Sequence, residues 1–134
     1  MYQTVAMGHD LDLTVTDVRV WVGSRDFATS LAFYGALGWT TAWTDGEALA
    51  QLELAGHRFM LQDHFERNWN HNSMMTIDVA DAAAWFDHAT AVLASGDFDE
   101  ARVAAPKTED FGAIVTYVWD PSGVLLHFTQ WMVS

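Results

Sequence analysis

Arg25-Asp-Phe-Ala-Thr-Ser-Leu-Ala-Phe-Tyr-Gly-Ala-Leu-Gly-Trp39 reads as a helix with both of its ends marked. Asp26 is the N-cap, since its carboxylate can accept the amide hydrogens that a first turn leaves free. Phe27, Leu31, Tyr34 and Leu37 recur at helical spacing and give the segment one apolar side. Gly38 ends it, because helices commonly stop on a residue that tolerates positive φ. Upstream, Thr14-Val-Thr-Asp-Val-Arg-Val-Trp-Val22 is dense in β-branched residues and is predicted to be a strand. Downstream, Trp39–Thr44 reads as a strand and Asp45-Gly46 as a turn. Ala48–Leu54 and His57–Gln62 then form a hairpin about Ala55-Gly56.

The same order returns in the second half. Met74–Asp78 is a strand, Asp81 a cap, and Ala82–Ser95 a helix with Trp85, Ala89 and Val92 on one side, stopped by Gly96. Arg102–Ala105 is predicted as a short strand and Lys107–Gly112 as a loop. Ala113–Trp119 and Val124–Phe128 are strands about the tight turn Asp120-Pro-Ser-Gly123. The two halves align in register. Arg19 lies seven residues before Asp26, and Met74 seven before Asp81; Gly56-His-Arg-Phe-Met60 matches Gly123-Val-Leu-Leu-His127. An internal repeat of this kind means two βαβββ modules, 14–62 and 74–134, joined by the polar, aromatic linker 63–73. A unit of ~55–60 residues is too small to bury a good core alone, so the modules must share one. The expected fold is α+β: a single domain, 1–134, whose modules form a curved, half-open mixed sheet with helices outside and a cleft on the concave side.

Composition narrows the partners. Eighteen acidic residues against six basic ones give a net charge of −12. Nucleic acid and anionic membrane need clustered Lys and Arg, which this chain lacks. A field of this sign raises the encounter rate of cationic ligands, and it also serves solubility. There is no cysteine, so disulfides and thiolate metal sites are excluded. No apolar run approaches the ~18–20 residues needed to span a bilayer. Met1–Asp10 lacks the basic-then-apolar order of a signal peptide, so the expected location is the cytoplasm. No glycine-rich phosphate loop or nucleophile motif is present. His57, His64, His71 and His88 fit no metal-ligand spacing.

Three segments together resemble one known superfamily. They are the helix 25–39 with its Phe33-Tyr34 and Leu37-Gly38 pairs, the strand leading into Asp81 and its helix, and Asp120-Pro-Ser-Gly-Val-Leu-Leu-His-Phe128. In this order and spacing they are similar to the vicinal-oxygen-chelate proteins: glyoxalases, bleomycin-resistance proteins and dioxygenases. Asp-Pro-x-Gly alone is an ordinary turn; the three motifs with the repeat cover nearly the whole chain. The resemblance implies a cleft in which the enzymes hold a divalent metal through the first and last strands of each half. Those four positions are Arg19, Met60, Met74 and His127. Arg19 is a permanent cation, and the two thioethers suit copper(I) rather than hard divalent ions. His127 alone does not hold a metal against water, so no metal and no cofactor is expected.

Within the superfamily the pattern is closest to the bleomycin-resistance proteins. His127 falls in Asp-Pro-x-Gly-x-x-x-His-Phe, Asn72-Ser73 precedes the second module, and the chain is acidic. The resemblance implies a homodimer that sequesters a cationic, planar-ringed antibiotic unaltered, in a groove between subunits. By this carry-over Trp43 is a groove aromatic, and Phe111-Gly112 stands at the family's Trp-Gly, with one residue more before the Asp-Pro turn. The Arg that follows there in the family is replaced by Ala113 or Ile114. The expected site has Trp43, Phe111 and Trp69 to stack, Asp45 and Asp110 for charge, and His127 to hydrogen-bond. Arg19 either pairs with Asp78 or Glu53 or grips a ligand carboxylate by a two-point contact. The favoured function is non-catalytic binding of a small aromatic or cationic molecule. The alternative is an enzyme of the same superfamily, either metal-free or with a metal site rebuilt from other residues, acting on a small carboxylate-bearing substrate with His127 as acid or base; a third reading is an interaction protein with a vestigial cleft.

Overall fold

The computed structural model describes residues 11–132, and the reading of Met1–Asp10 as free of a signal segment lies outside them. The elements are β1 (Trp21–Gly23), α1 (Phe27–Leu37), β2 (Thr40–Thr44), β3 (Leu49–Leu54), β4 (His57–Gln62), α2 (Arg67–Asn72), β5 (Met74–Asp78), α3 (Ala82–Ser95), β6 (Arg102–Glu109), β7 (Ala113–Trp119) and β8 (Leu125–Trp131). They build two four-stranded mixed sheets of identical topology: β1-β4-β3-β2, here sheet A, and β5-β8-β7-β6, sheet B. In each, the first strand runs parallel to the module's last strand and the remaining pairs are antiparallel. The α+β architecture of two βαβββ modules is therefore the one adopted. Both predicted caps form: Asp26 accepts from Thr29 N at 3.0 Å and Asp81 from Ala84 N at 3.1 Å.

Each sheet has one face covered by a helix and one free of it. Phe33, Tyr34 and Leu37 of α1 pack on Leu52, Phe59 and Leu61 of sheet A, while Ala89 and Val92 of α3 join Val118, Leu126 and Phe128 of sheet B, all in one core cluster. Trp85 stacks on Phe128 at 4.5 Å with an 11° interplanar angle. Links run between the modules on this side: Trp39 meets Phe128 at 6.5 Å, and His88 Nε2 lies 2.9 Å from the Leu37 carbonyl. The helix-covered faces thus share one interior, as two modules too small for separate cores require.

The turn Asp120–Gly123 is the joint between modules. Asp120 is fully buried and accepts from Tyr34 Oη at 2.7 Å, Ser122 N at 2.7 Å and Val124 N at 3.0 Å. Arg25 N donates to Ser122 Oγ at 2.9 Å, which seats the start of α1 on the same turn. Burial pushes the Asp120 carboxyl up from its ordinary value, against the pull of its donors. It pushes the Tyr34 hydroxyl well above 10.0, with the Asp120 charge acting in the same direction.

Three elements differ from expectation. The strand predicted over Thr14–Val22 is limited to Trp21–Gly23; residues 11–20 are exposed and carry no strand. β-branched composition favours an extended chain, but a strand needs an edge to pair with, and only Val20 reaches β4, accepting Met60 N at 2.9 Å. The short strand predicted at Arg102–Ala105 runs on to Glu109 instead of giving way to a loop at Lys107. Its ladder steps from Ala104↔Tyr117 to Lys107↔Val115, so Pro106 sits in a bulge of an edge strand, where its missing amide hydrogen costs no ladder bond. The linker 63–73 contains α2, held by Asn70 Nδ2 donating to the Gly23 carbonyl at 2.8 Å. No helix among the described residues is long and apolar enough to cross a membrane.

Candidate binding faces

On the helix-free face of sheet A, residues directly opposite across the ladders form the row Trp21, Met60, Gln51, Trp43. The tryptophans at its ends are 57% and 50% exposed, so the face is open with an aromatic on either flank. Arg19 lies over the middle of the row, hydrogen-bonded to Gln51 Oε1 and 3.6 Å from Asp17. Neither acid expected to pair with it does so. Glu53 takes Arg58 at 3.0 Å, and Asp78 accepts Trp131 Nε1 at 2.9 Å. Arg58 also reaches Asp17 at 3.4 Å, leaving both guanidinium groups on weak, exposed pairs.

The helix-free face of sheet B carries His127 at its centre, in the row Thr76, His127, Tyr117, Ala104. His127 Nε2 is buried and has no hydrogen-bond partner among the described residues. Burial lowers the His127 pKa below 6.5, with Glu109 partly opposing, so the ring is neutral at pH 7. The Tyr117 ring stands edge-on to it, with centroids 5.0 Å apart at 69°. The Tyr117 hydroxyl donates to Glu109 Oε2, and burial together with that acid pushes its pKa up to about 12. One row along, Arg102 sits 4.0 Å over the Trp119 ring. At the other end Phe111 meets Trp131 edge-on at 5.8 Å, and both are exposed.

The expected site residues therefore divide between the faces. Arg19 and Trp43 belong to sheet A; His127, with Phe111 and Asp110 at the β6–β7 turn, belongs to sheet B. Asp45 stands in the turn after β2, and its Oδ1 accepts the amides of Glu47, Ala48 and Leu49 at 2.9–3.1 Å, which lowers its pKa. Trp69 is exposed on α2, with its ring 6.0 Å from that of His64, and belongs to neither sheet. Sequence reading missed Tyr117, Glu109 and Trp131 as face residues. Glu109 falls within the loop expected over Lys107–Gly112, and Trp131 lies beyond the strand end expected at Phe128.

The four positions at which the resemblance implies metal ligands divide in the same way: Arg19 and Met60 over sheet A, Met74 and His127 on sheet B. One imidazole, two thioethers and a guanidinium do not fit a divalent ion. No group of three or more His, Cys, Asp or Glu side chains able to share a cation occurs among the described residues.

No family model matches the sequence, and no curated protein matches it. Solved structures do. A bleomycin-binding protein complexed with bleomycin superposes with TM-score 0.70 at 21% identity, over 87% of this chain and 98% of the other. A bleomycin resistance determinant encoded on the transposon Tn5 gives TM-score 0.70 at 22% identity, over 88% and 100%. A lactoylglutathione lyase from Agrobacterium tumefaciens gives TM-score 0.60 at 14% identity, over 87% and 95%. The repeated βαβββ topology and these superpositions agree: the chain has the fold of the glyoxalase and bleomycin-resistance proteins.

Proposed function

We propose that the protein is a cytoplasmic homodimer that binds a small planar aromatic or cationic molecule without altering it, as in antibiotic sequestration. The groove is formed by the helix-free face of sheet A from one subunit and that of sheet B from the other. The observation that carries this reading is that each helix-free face carries exposed aromatic rings. Sheet A offers Trp21 and Trp43 on an open surface, and sheet B offers Phe111, Trp131 and the unpartnered His127 Nε2. A buried ring nitrogen without a partner is destabilising by about 1–3 kcal/mol, a penalty that a hydrogen bond from a ligand at this atom relieves. The net charge of −12 attracts a cation to the groove. The structural neighbours named for bleomycin binding share the fold, which supports the ligand class by analogy only.

Titrating tryptophan fluorescence with metal-free bleomycin and with small aromatic amidines tests this. Saturable quenching with one ligand per chain is expected, and mass spectrometry should recover the ligand unchanged. No saturable binding of any member overturns the proposal. A chemically altered ligand favours the enzyme reading, in which Arg19, exposed and only loosely paired, grips a substrate carboxylate beside His127.

A further inference from the structure

Glu109 is unlike the other acids of the chain that flank the two faces. Its side chain is only 18% exposed, although it lies on a helix-free face. Its one cationic neighbour among the described residues is Lys107, whose Nζ stands 3.6 Å from Oε1 and whose side chain is 69% exposed. Such a pair is loose and easily exchanged. The other oxygen, Oε2, is held by the Tyr117 hydroxyl. Tyr117 in turn stands against His127, whose buried Nε2 has no hydrogen-bond partner among the described residues. A shielded carboxylate, a phenol that fixes it and an imidazole with an unpartnered ring nitrogen are therefore grouped on one face.

We propose that Glu109 is the counter-charge of the binding site, positioned by Tyr117, and that the ligand is an aromatic amidine or guanidine. Its charged group lies between Glu109 and His127: one N–H bonds the carboxylate, displacing Lys107, and another donates to His127 Nε2. Its ring lies against the exposed aromatics of the facing subunit. This assignment rests on the function proposed above and specifies the ligand's chemistry. Two N–H groups on one planar cation match two acceptors of different charge, as a single ammonium on a flexible chain does not. Lys107 occupies the site weakly in the absence of ligand.

The probes are 2-naphthamidine and its neutral amide of the same shape, 2-naphthamide, with dissociation constants taken from tryptophan quenching. Wild-type protein is expected to prefer the amidine at least tenfold. Glu109→Gln should weaken amidine binding about tenfold and leave the amide within twofold. Tyr117→Phe should reduce the same preference by a smaller factor, without a parallel loss for the amide. Lys107→Ala changes an exposed residue, so it does not depend on the tolerance of Glu109 to substitution. It should strengthen amidine binding severalfold by removing the competing ammonium. Equal loss of both probes in Glu109→Gln, or no change of preference in any variant, overturns the role of Glu109 while leaving a binding protein. Failure of wild type to bind any aromatic cation, bleomycin included, overturns the functional reading and this assignment with it.

Discussion

At the scale of single residues, the buried pair Tyr34 and Asp120 shows how a common turn motif becomes a specific one. The phenol is the side-chain donor to a carboxylate held out of water, at 2.7 Å. Tyr34→Phe removes that donor and leaves the acid with backbone amides alone. The expected cost is about 1–3 kcal/mol at pH 7, read from urea denaturation. The pH dependence follows from the raised Tyr34 pKa. The folded state keeps the phenolic proton where the unfolded chain releases it. Stability from this group is therefore whole below 10.0 and falls as pH rises toward the folded value. Tyr34→Phe should lack that alkaline decline. His127 has the opposite shift, with a folded pKa below 6.5. The unfolded chain takes up a proton first as pH falls, so its contribution is whole above 6.5 and is lost through the window beneath it. A ligand N–H also needs the neutral ring, so binding at pH 5 should be weaker than at pH 7.5, and His127→Gln should flatten that difference. An undiminished pH dependence in the variant would place the titrating group elsewhere.

At the scale of elements, what the sequence makes legible follows from where information is local. The caps Asp26 and Asp81, the stop at Gly38 and the turn at Asp120–Gly123 each declare themselves within a few residues, and all form. Pro106 follows directly on the short strand expected at Arg102–Ala105, and in sequence alone a proline argues against a continuing strand. Only its position on an edge strand, set by residues far along the chain, makes a bulge there harmless. The same bulge carries the strand on to Glu109, within the stretch expected to be a loop. The linker gave no period because α2 is six residues long and is stabilised by Asn70 reaching back to Gly23, a contact 47 positions away. The same contact yields a prediction. A Cβ at Gly23 would stand 2.4 Å from the His64 carbonyl oxygen and 2.9 Å from Asn70 Oδ1. Backbone cannot yield as a side-chain tip does, so Gly23→Ala should lift the linker off β1. The expected destabilisation is about 1–3 kcal/mol, seen as a lower Tm. A variant melting at the wild-type temperature would show that the linker shifts freely.

At the scale of the whole molecule, two sheets that share a core on their helix-covered sides leave two aromatic faces and an extended apolar segment in water. Leu13 is 80% exposed and Val18 79%. A cavity of about 450 Å³ opens beside β5, between Met75–Asp78 and the β3–β4 hairpin end, next to Val20. Apolar surface of this extent marks an interaction site. A second copy is the economical partner, because a two-fold axis lets each chain cover the other with one set of contacts. Sedimentation equilibrium should therefore give twice the 15.0 kDa of the chain. Leu13→Lys with Val18→Lys should yield a folded monomer. Both side chains are already in water within one chain, so its core is untouched. The double substitution also brings the net charge from −12 to −10, so added self-repulsion cannot be what separates the subunits. If the groove belongs to the dimer, that monomer should bind the aromatic cations at least tenfold more weakly while melting cooperatively. Full affinity in a proven monomer would place the site on one chain's own surface and remove the reason for pairing sheet A with sheet B across subunits.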